Sequence, residues 1–212
     1  MATVITTKQT IVMHEVSWTT YENLLSDLKD QSSPRLTYDR GMLEIISPTR
    51  EHEEYNGAIA QLIRTVAEEM SIDVLGLGST TYRREDLLRG FEPDSSFYIQ
   101  SLDRVAGKKD INLSVDPPPD LVVELDITRN SLDKLALYAE MSVPEIWRYD
   151  GQKLTIVLLN NVSGVYHESD RSSALPVLTG LAIANFVEQA RSLRSTAWLK
   201  AIREWTRTTP KR

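Results

Sequence analysis

Carboxylates interrupt an apolar run near the middle of the chain, PDLVVELDI at 119–127. Side chains alternate between the two faces of a β-strand, so Glu124 and Asp126 share one face with Val122. Burying a carboxylate costs several kcal/mol unless it is paired, protonated or bound to a metal. Two carboxylates on one face therefore predict a compensating cation. The alternative is a strand at the edge of a sheet with a hydrated polar face.

A further carboxylate and a lysine stand where they could join this strand. Asp94 follows a proline and begins another strand-like segment, 95–99. Lys134, ten residues beyond Glu124, falls in the first turns of the next predicted helix, with Tyr138 one turn further on the same face. Two carboxylates and a lysine around one metal suit phosphodiester hydrolysis. The metal polarises the phosphoryl oxygen and activates a bound water, and the ammonium orients that water or neutralises developing charge.

Hydrophobic periodicity predicts the helices and strands that would position these residues. An N-terminal helix precedes a β-hairpin at Arg40-Gly41, where glycine permits the positive φ of a tight turn. The predicted helices span 19–29, 50–70, 131–141 and 182–205, and the predicted strands span 35–39, 42–46, 73–77, 80–83, 95–99, 121–127, 146–149 and 154–159. This order predicts one α/β domain over 1–212, with a mixed sheet flanked by helices. An N-terminal extension at 1–13 and a C-terminal helix with a basic tail at 182–212 lie outside its centre.

Composition narrows the class of protein further. The 212 residues are 41% hydrophobic and 25% charged, as in an ordinary globular protein. There is no cysteine, which excludes disulfides, thiolate zinc sites and cysteine nucleophiles and fits a reducing compartment. No signal peptide is visible, and no apolar run approaches the ~20 residues of a membrane helix. We therefore expect a cytoplasmic protein without membrane contact, in which any metal is bound by oxygen or imidazole.

Charge is unevenly distributed along the chain. The formal net charge of -6 argues against an indiscriminate nucleic-acid coat protein. Between Arg191 and Arg212, however, there are seven basic residues and one acidic residue, Glu204. This stretch could face phosphate, although a solvated helix face is the favoured interpretation.

Several ordered blocks of sequence resemble a known family. The blocks are LTYDRGMLEIISPTREHEEYN, EPDSSFYI, PDLVVEL, DK and LYAEMSVPEIWRYD, and the resemblance extends from about residue 21 to 181. They are similar to the Uma-type restriction-endonuclease-like family of bacteria, which is assigned to the PD-(D/E)XK nuclease superfamily. The resemblance implies a restriction-endonuclease-like fold, a central mixed sheet flanked by helices. It also implies Mg²⁺ as the usual metal, with Mn²⁺ as a substitute.

The same resemblance implies roles for individual residues. Asp94 and Glu124 match the two metal-binding carboxylates, and Lys134 matches a lysine on the following helix. His52 or Glu53 matches the polar start of the first core helix, where the superfamily often adds an acidic group. The implied activity is metal-dependent hydrolysis of DNA phosphodiester bonds.

Two departures from the family pattern keep alternatives open. The family commonly reads Ser-Pro-Ser-Thr soon after the glutamate, whereas Asp126-Ile127-Thr128 follows here. Two roles for Asp126 are therefore open. It is a third metal ligand, or it alters which metal the site prefers. The superfamily's lysine two positions after the glutamate is also absent. The alternative function is a catalytically inactive nuclease fold that serves as a binding or oligomerisation scaffold.

The last predicted helix bears on assembly. Cleaving both strands of a duplex usually needs two active centres, which a symmetric homodimer supplies. We therefore expect a homodimer with the face of Trp198 and Trp205 as its interface. There are two alternatives to a dimer interface. The tryptophans pack on the protein's own core, or they stack on nucleic-acid bases. The apolar stripe consists of Phe186, Ala190, Leu193, Ala197 and Trp205.

Overall fold

The computed structural model describes residues 9–28, 34–125 and 134–210. The helices are α1 (Trp18–Leu28), α2 (Arg50–Met70), α3 (Leu102–Val105), α4 (Lys134–Glu140), α5 (Gly180–Ser192) and α6 (Ser195–Thr208). The strands are β1 (Gln9–Met13), β2 (Arg35–Asp39), β3 (Met42–Ser47), β4 (Leu75–Gly76), β5 (Tyr82–Arg84), β6 (Arg89–Phe91), β7 (Ser95–Tyr98), β8 (Leu121–Leu125), β9 (Glu145–Tyr149), β10 (Leu154–Asn160) and β11 (Val165–Ser169). Within these ranges, no helix has the length and apolar character needed to span a membrane.

Five strands form an antiparallel sheet, sheet A, in the order β1-β3-β2-β6-β5. β2 and β3 are the predicted hairpin, in which Asp39 pairs with Met42. Arg40 and Gly41 between them have φ angles of 48° and 95°. Positive φ at both central residues matches the twist of the flanking strands. β1 pairs along its whole length with β3, so the predicted N-terminal extension in fact contributes an edge strand to sheet A.

The other six strands form sheet B, in the order β11-β10-β9-β8-β7-β4. β8 and β9 are parallel, whereas the neighbouring pairs are antiparallel, so sheet B is the mixed sheet that the sequence predicts. Sheet A is an addition to the single central sheet expected. β8 lies between β7 and β9 and all of its residues are buried, so the alternative of an edge strand with a hydrated face is wrong.

Helix α2 packs on one face of sheet B. Thr49 caps its N-terminus, because the Thr49 side chain accepts a hydrogen bond from the backbone N–H of His52 at 3.2 Å. Glu51 and Glu53 lie in the first turn, where the helix dipole favours acidic groups. The cap therefore fixes the start of α2, where His52 and Glu53 lie. The apolar cluster beneath α2, α5 and α6 includes Ile59, Leu62, Ile63, Val66, Phe97, Val123, Leu125, Trp147, Phe186 and Ile202.

Helix α4 packs on the opposite face of sheet B. Val122 and Ile146 belong to the apolar cluster that contains residues of α4, whereas their neighbours Val123 and Trp147 belong to the α2 cluster. This is the alternation expected of buried strands. Glu124, two residues after Val122, therefore lies on the α4 face.

The C-terminal region consists of two helices rather than the single helix predicted. Extended backbone at Leu193 and Arg194 separates α5 from α6. Trp198 is 5% exposed, and its Nε1 donates to the carbonyl oxygen of Phe186 at 2.8 Å. Trp205 packs edge-on against the Phe186 ring. The tryptophans therefore pack on the protein's own core, as the alternative interpretation expects, and the homodimer interface stays a prediction.

The basic C-terminal stretch lies against α2. Ion pairs join Arg191 to Glu51 at 3.5 Å, Arg203 to Glu68 at 3.3 Å and Arg207 to Glu69 at 2.7 Å. These three arginines are engaged by the protein's own glutamates. Their placement supports the interpretation of a solvated helix face over that of a phosphate-binding face.

Candidate active site

Asp94 stands one residue before β7, and the strand register places it beside Glu124. Ser95 pairs with Val123 in the antiparallel β7–β8 ladder, so the next pair along that ladder is Asp94 and Glu124. Residues opposite each other on antiparallel strands have Cα atoms about 4.5–5.5 Å apart. The fold thus brings together the two carboxylates that the sequence predicts to be metal ligands.

Both carboxylate oxygens of Asp94 have hydrogen-bond donors. Nη1 of Arg35, the first residue of β2, donates to Oδ1. Oδ2 accepts from the backbone N–H of Leu125 at 2.7 Å and lies 3.2 Å from Nε2 of His52. Nη2 of Arg35 also donates to Oε1 of Glu53 at 2.7 Å. Arg35 therefore links Asp94 to the first turn of α2.

These contacts set the protonation states around Asp94. Burial raises the pKa of Asp94, but the hydrogen bond with His52 and the charges of Arg35 and Lys134 outweigh burial, so this pKa is lowered. Burial lowers the pKa of His52, but its contacts with Asp94 and Glu53 outweigh that effect, so this pKa is raised. The hydrogen bond with His52 lowers the pKa of Glu53. Asp94 is therefore a carboxylate at neutral pH, next to a histidine whose cationic form is favoured.

Glu124 is held by two side chains of α4. Nζ of Lys134 donates to Oε2 at 2.8 Å, and the hydroxyl of Tyr138 donates to Oε1. Burial lowers the pKa of Lys134, but the charges of Glu124, Asp94 and Glu44 outweigh burial, so this pKa is raised. Lys134 is therefore an ammonium at neutral pH. It can donate hydrogen bonds and supply positive charge, but it cannot accept a proton.

Two buried charged residues of the β2–β3 hairpin are absent from the predicted site. Arg35 is 8% exposed and Glu44 is 0% exposed. Glu44 interrupts the apolar strand MLEIIS, so the argument applied to Glu124, a charge on a buried strand, would have found it. Arg35 has no such local signal, because it opens a strand and its partner Asp94 is 59 residues away.

Comparison with known proteins identifies the family. The model of the Uma2 family, described as "Putative restriction endonuclease", matches residues 18–190. The chain belongs to the Uma2 family. The family predicted from the sequence blocks is thereby confirmed. No curated protein matches this Uma2 chain.

A solved structure is similar to this Uma2 protein. It is the crystal structure of a "putative nuclease belonging to DUF820" from Anabaena variabilis ATCC 29413, with a TM-score of 0.52 and 14% sequence identity. The match covers 90% of this chain and 99% of that chain. At this identity the similarity concerns the fold alone, and it confirms the predicted α/β nuclease-type fold.

The predicted site residues of this Uma2 protein converge from three directions. Asp94 and Glu124 lie on neighbouring strands of sheet B, Lys134 reaches Glu124 from α4, and His52 reaches Asp94 from α2. Glu53 contacts the site through Arg35. Asp126, the predicted third metal ligand, lies outside the described residues.

The donor set suits a hard divalent cation. In the part of the chain that is described, no three Asp, Glu or His side chains form a metal-binding group. Mg²⁺, however, is usually held by only one or two carboxylates, and water and substrate phosphates complete its oxygen shell. A carboxylate offers about four lone pairs, so Asp94 retains acceptor capacity beyond its bonds with Arg35, His52 and Leu125. These two residues would hold the cation.

Proposed function

We propose that this Uma2 protein is a metal-dependent endonuclease that hydrolyses DNA phosphodiester bonds at the site of Asp94, Glu124 and Lys134. The observation that carries the proposal is the position of Asp94 beside Glu124, with Nζ of Lys134 2.8 Å from Glu124. The family description and the description of the Anabaena protein as a "putative nuclease" support it.

Each residue of the site has a chemical role in this proposal. Asp94 and Glu124 would hold Mg²⁺ or Mn²⁺, which would polarise the phosphoryl oxygen and lower the pKa of bound water. Lys134 stays protonated because its pKa is raised, so it does not act as a general base. It orients the attacking water and neutralises the negative charge that develops on the phosphate.

His52 and Glu53 act through Asp94. His52 lies 3.2 Å from Oδ2 of Asp94, and Glu53 fixes the Arg35 side chain that donates to Oδ1. We assign both of them positioning roles, because they hold the Asp94 carboxylate in one orientation beside Glu124.

A catalytically inactive scaffold is the second candidate, and one observation favours it. Asp94 is bonded to Arg35, His52 and the backbone of Leu125, as expected of a carboxylate that stabilises the fold. A scaffold would need no metal and would cleave no DNA.

Cleavage of supercoiled plasmid DNA in Mg²⁺ or Mn²⁺ tests the proposed function. The wild-type protein should nick the plasmid, and Glu124→Gln should lower the rate by roughly a hundredfold or more, because the metal supplies several kcal/mol of transition-state stabilisation. Glu204→Gln, which neutralises an exposed glutamate on α6, is the matched control and should leave the rate unchanged. Absence of metal-dependent nicking by the wild type, or equal nicking by Glu124→Gln, would contradict the proposal.

A further inference from the structure

The hydroxyl of Tyr138 lies inside the protein, against a carboxylate of the candidate site. Tyr138 belongs to α4 and is 1% exposed, and its hydroxyl donates to Oε1 of Glu124. Nζ of Lys134, one helical turn earlier, donates to Oε2 of the same carboxylate. α4 therefore supplies a donor to each oxygen of Glu124. The proposed function uses the charge of Lys134 and leaves Tyr138 without a role.

The aromatic ring of Tyr138 is fixed by its neighbours. It packs edge-on against Phe91 of β6, with the ring centroids 4.7 Å apart. Both rings belong to an apolar cluster that also contains Leu137 and Met141. Tyrosine has only two side-chain torsions of this kind to fix, whereas lysine has a flexible four-carbon stem. Tyr138 is thus the more rigid of the two donors to Glu124.

The helix that carries Tyr138 is tied to the same strand. Glu140, two residues after Tyr138, forms an ion pair with Nη1 of Arg89, which is 1% exposed. Nε of Arg89 donates to Asp39 of β2 at 2.8 Å. Arg89 and Phe91 are the two ends of β6. One short strand therefore holds both the ring of Tyr138 and the end of its helix, so the fold determines where the hydroxyl lies.

A metal-binding pair needs both of its carboxylates in a fixed orientation. The carboxylate of Asp94 is oriented by Arg35, His52 and the backbone of Leu125. Glu124 has a longer side chain than Asp94, and the terminal torsion of a glutamate is only broadly restricted. A carboxylate that binds a metal is usually hydrogen-bonded in turn, and loss of such a partner typically lowers metal affinity by roughly 10–100-fold.

We infer that Tyr138 is a positioning residue that orients Glu124 toward the divalent cation, an inference that rests on the proposed function. A phenol donates one O–H and is neutral at pH 7. It therefore fixes the Oε1 end of Glu124 without bringing a positive charge that would compete with the cation. Lys134 has the other task, since its charge acts on water and phosphate. Loss of the Tyr138 hydroxyl should thus lower metal affinity, whereas loss of Lys134 should lower the rate of cleavage.

Calorimetric titration of Mn²⁺ into the Tyr138→Phe protein tests this inference. The substitution removes the hydroxyl and keeps the ring against Phe91, so the protein should stay folded. Its dissociation constant for Mn²⁺ should rise by roughly tenfold. Plasmid nicking by this variant should be slow at a Mn²⁺ concentration that half-saturates the wild type, and it should recover to near the wild-type rate at saturating Mn²⁺. Added metal would not restore nicking if the lost group acted on the phosphate.

Tyr98→Phe is the matched control. Tyr98 is 0% exposed, belongs to the same apolar cluster and donates to the carbonyl oxygen of Pro117 at 3.0 Å. It lies four residues after Asp94, or about 13 Å along the strand. This variant also loses a buried hydroxyl, so its unfolding midpoint in metal-free urea should fall about as far as that of Tyr138→Phe. Its affinity for Mn²⁺ should equal that of the wild type.

The outcomes separate the inference from the proposed function. If the wild type binds Mn²⁺ and nicks DNA while Tyr138→Phe binds Mn²⁺ like Tyr98→Phe, the inference is wrong and the proposed function stands. The same conclusion follows if saturating Mn²⁺ fails to restore nicking by Tyr138→Phe, or if Tyr138→Phe unfolds while Tyr98→Phe stays folded. If the wild type binds Mn²⁺ without nicking and Tyr138→Phe binds it more weakly, only the proposed function is wrong. If the wild type neither binds Mn²⁺ nor nicks DNA, both are wrong.

Discussion

The negative charge of Asp94 is balanced by side chains of the protein itself. The sequence suggests two carboxylates that repel each other, so neutralising either would leave stability nearly unchanged or even increase it. In the structure Asp94 instead meets Arg35, His52 and the backbone N–H of Leu125. The expected effect on stability therefore reverses for Asp94.

Asp94→Asn should lower the free energy of unfolding by about 3–5 kcal/mol, because it removes the buried carboxylate that pairs with Arg35 and leaves that buried cation only the half-exposed Glu53. Urea unfolding in metal-free buffer at pH 7 measures this. Glu53→Gln is the control, since Glu53 binds the same Arg35 side chain but is 49% exposed. It should cost less than about 1 kcal/mol.

The effect of Asp94→Asn should also depend on pH. The pKa of Asp94 is lowered by folding, so its stabilising contribution is present above the unfolded value near 4 and is lost as pH falls through the lowered folded value. The difference between wild type and Asp94→Asn should therefore shrink in acid. Equal stability of the two proteins at pH 7 would show that the Arg35 contact does not stabilise the fold.

The site could be predicted only in part from the sequence. Glu124 was predictable because a carboxylate on an apolar strand is costly to bury, and the family resemblance added Asp94 and Lys134. Arg35 was not predictable, because its contact with Asp94 joins β2 to the residue before β7 and leaves no local pattern. The resemblance named the acidic groups, whereas the cation that balances one of them is evident only in the fold.

At the scale of elements, the helices and strands with strong hydrophobic periodicity were the ones that the sequence predicted reliably. α2, the β2–β3 hairpin and β8 were all predicted close to their observed bounds. β6 and β11 were missed for different reasons. β6 has three residues and depends on pairing with β2 and β5, and β11 is an edge strand without a buried residue. Such strands are defined by their partners rather than by their own sequence.

The packing of α6 leads to a prediction about stability and mass. Trp198→Ala should lower the free energy of unfolding by about 3–5 kcal/mol, because it removes a large side chain that is 5% exposed and bonded to Phe186. Leu181→Ala, a control on α5 whose leucine is 74% exposed, should change stability by less than about 0.5 kcal/mol. Urea unfolding measures both.

Light scattering on the same variants addresses assembly. Both folded variants should have the mass of the wild type, because the Trp198 face packs on the protein's own helices. Halving of the mass in folded Trp198→Ala, but not in Leu181→Ala, would restore that face as a dimer interface. The homodimer itself stays a prediction.

At the scale of the whole molecule, the candidate site lies where the two sheets and two helices meet. Sheet A contributes Arg35, and Glu44, whose charge acts on Lys134, while sheet B contributes Glu124 and the adjoining Asp94. α4 adds Lys134, and α2 adds its first turn. A scaffold needs such a junction only for stability, whereas an enzyme needs it to hold a cation. The two accounts therefore differ most clearly in metal binding.

Calorimetric titration of Mn²⁺ into the folded protein tests this difference directly. The wild type should bind Mn²⁺ saturably, and Glu124→Gln, confirmed as folded by its melting transition, should lose that binding because an amide is a poorer ligand than a carboxylate. Lys134→Met should keep it, since an ammonium is not a ligand. Indistinguishable titrations of wild type and Glu124→Gln, or no binding by the wild type, would contradict the assignment of Asp94 and Glu124 as a metal-binding pair.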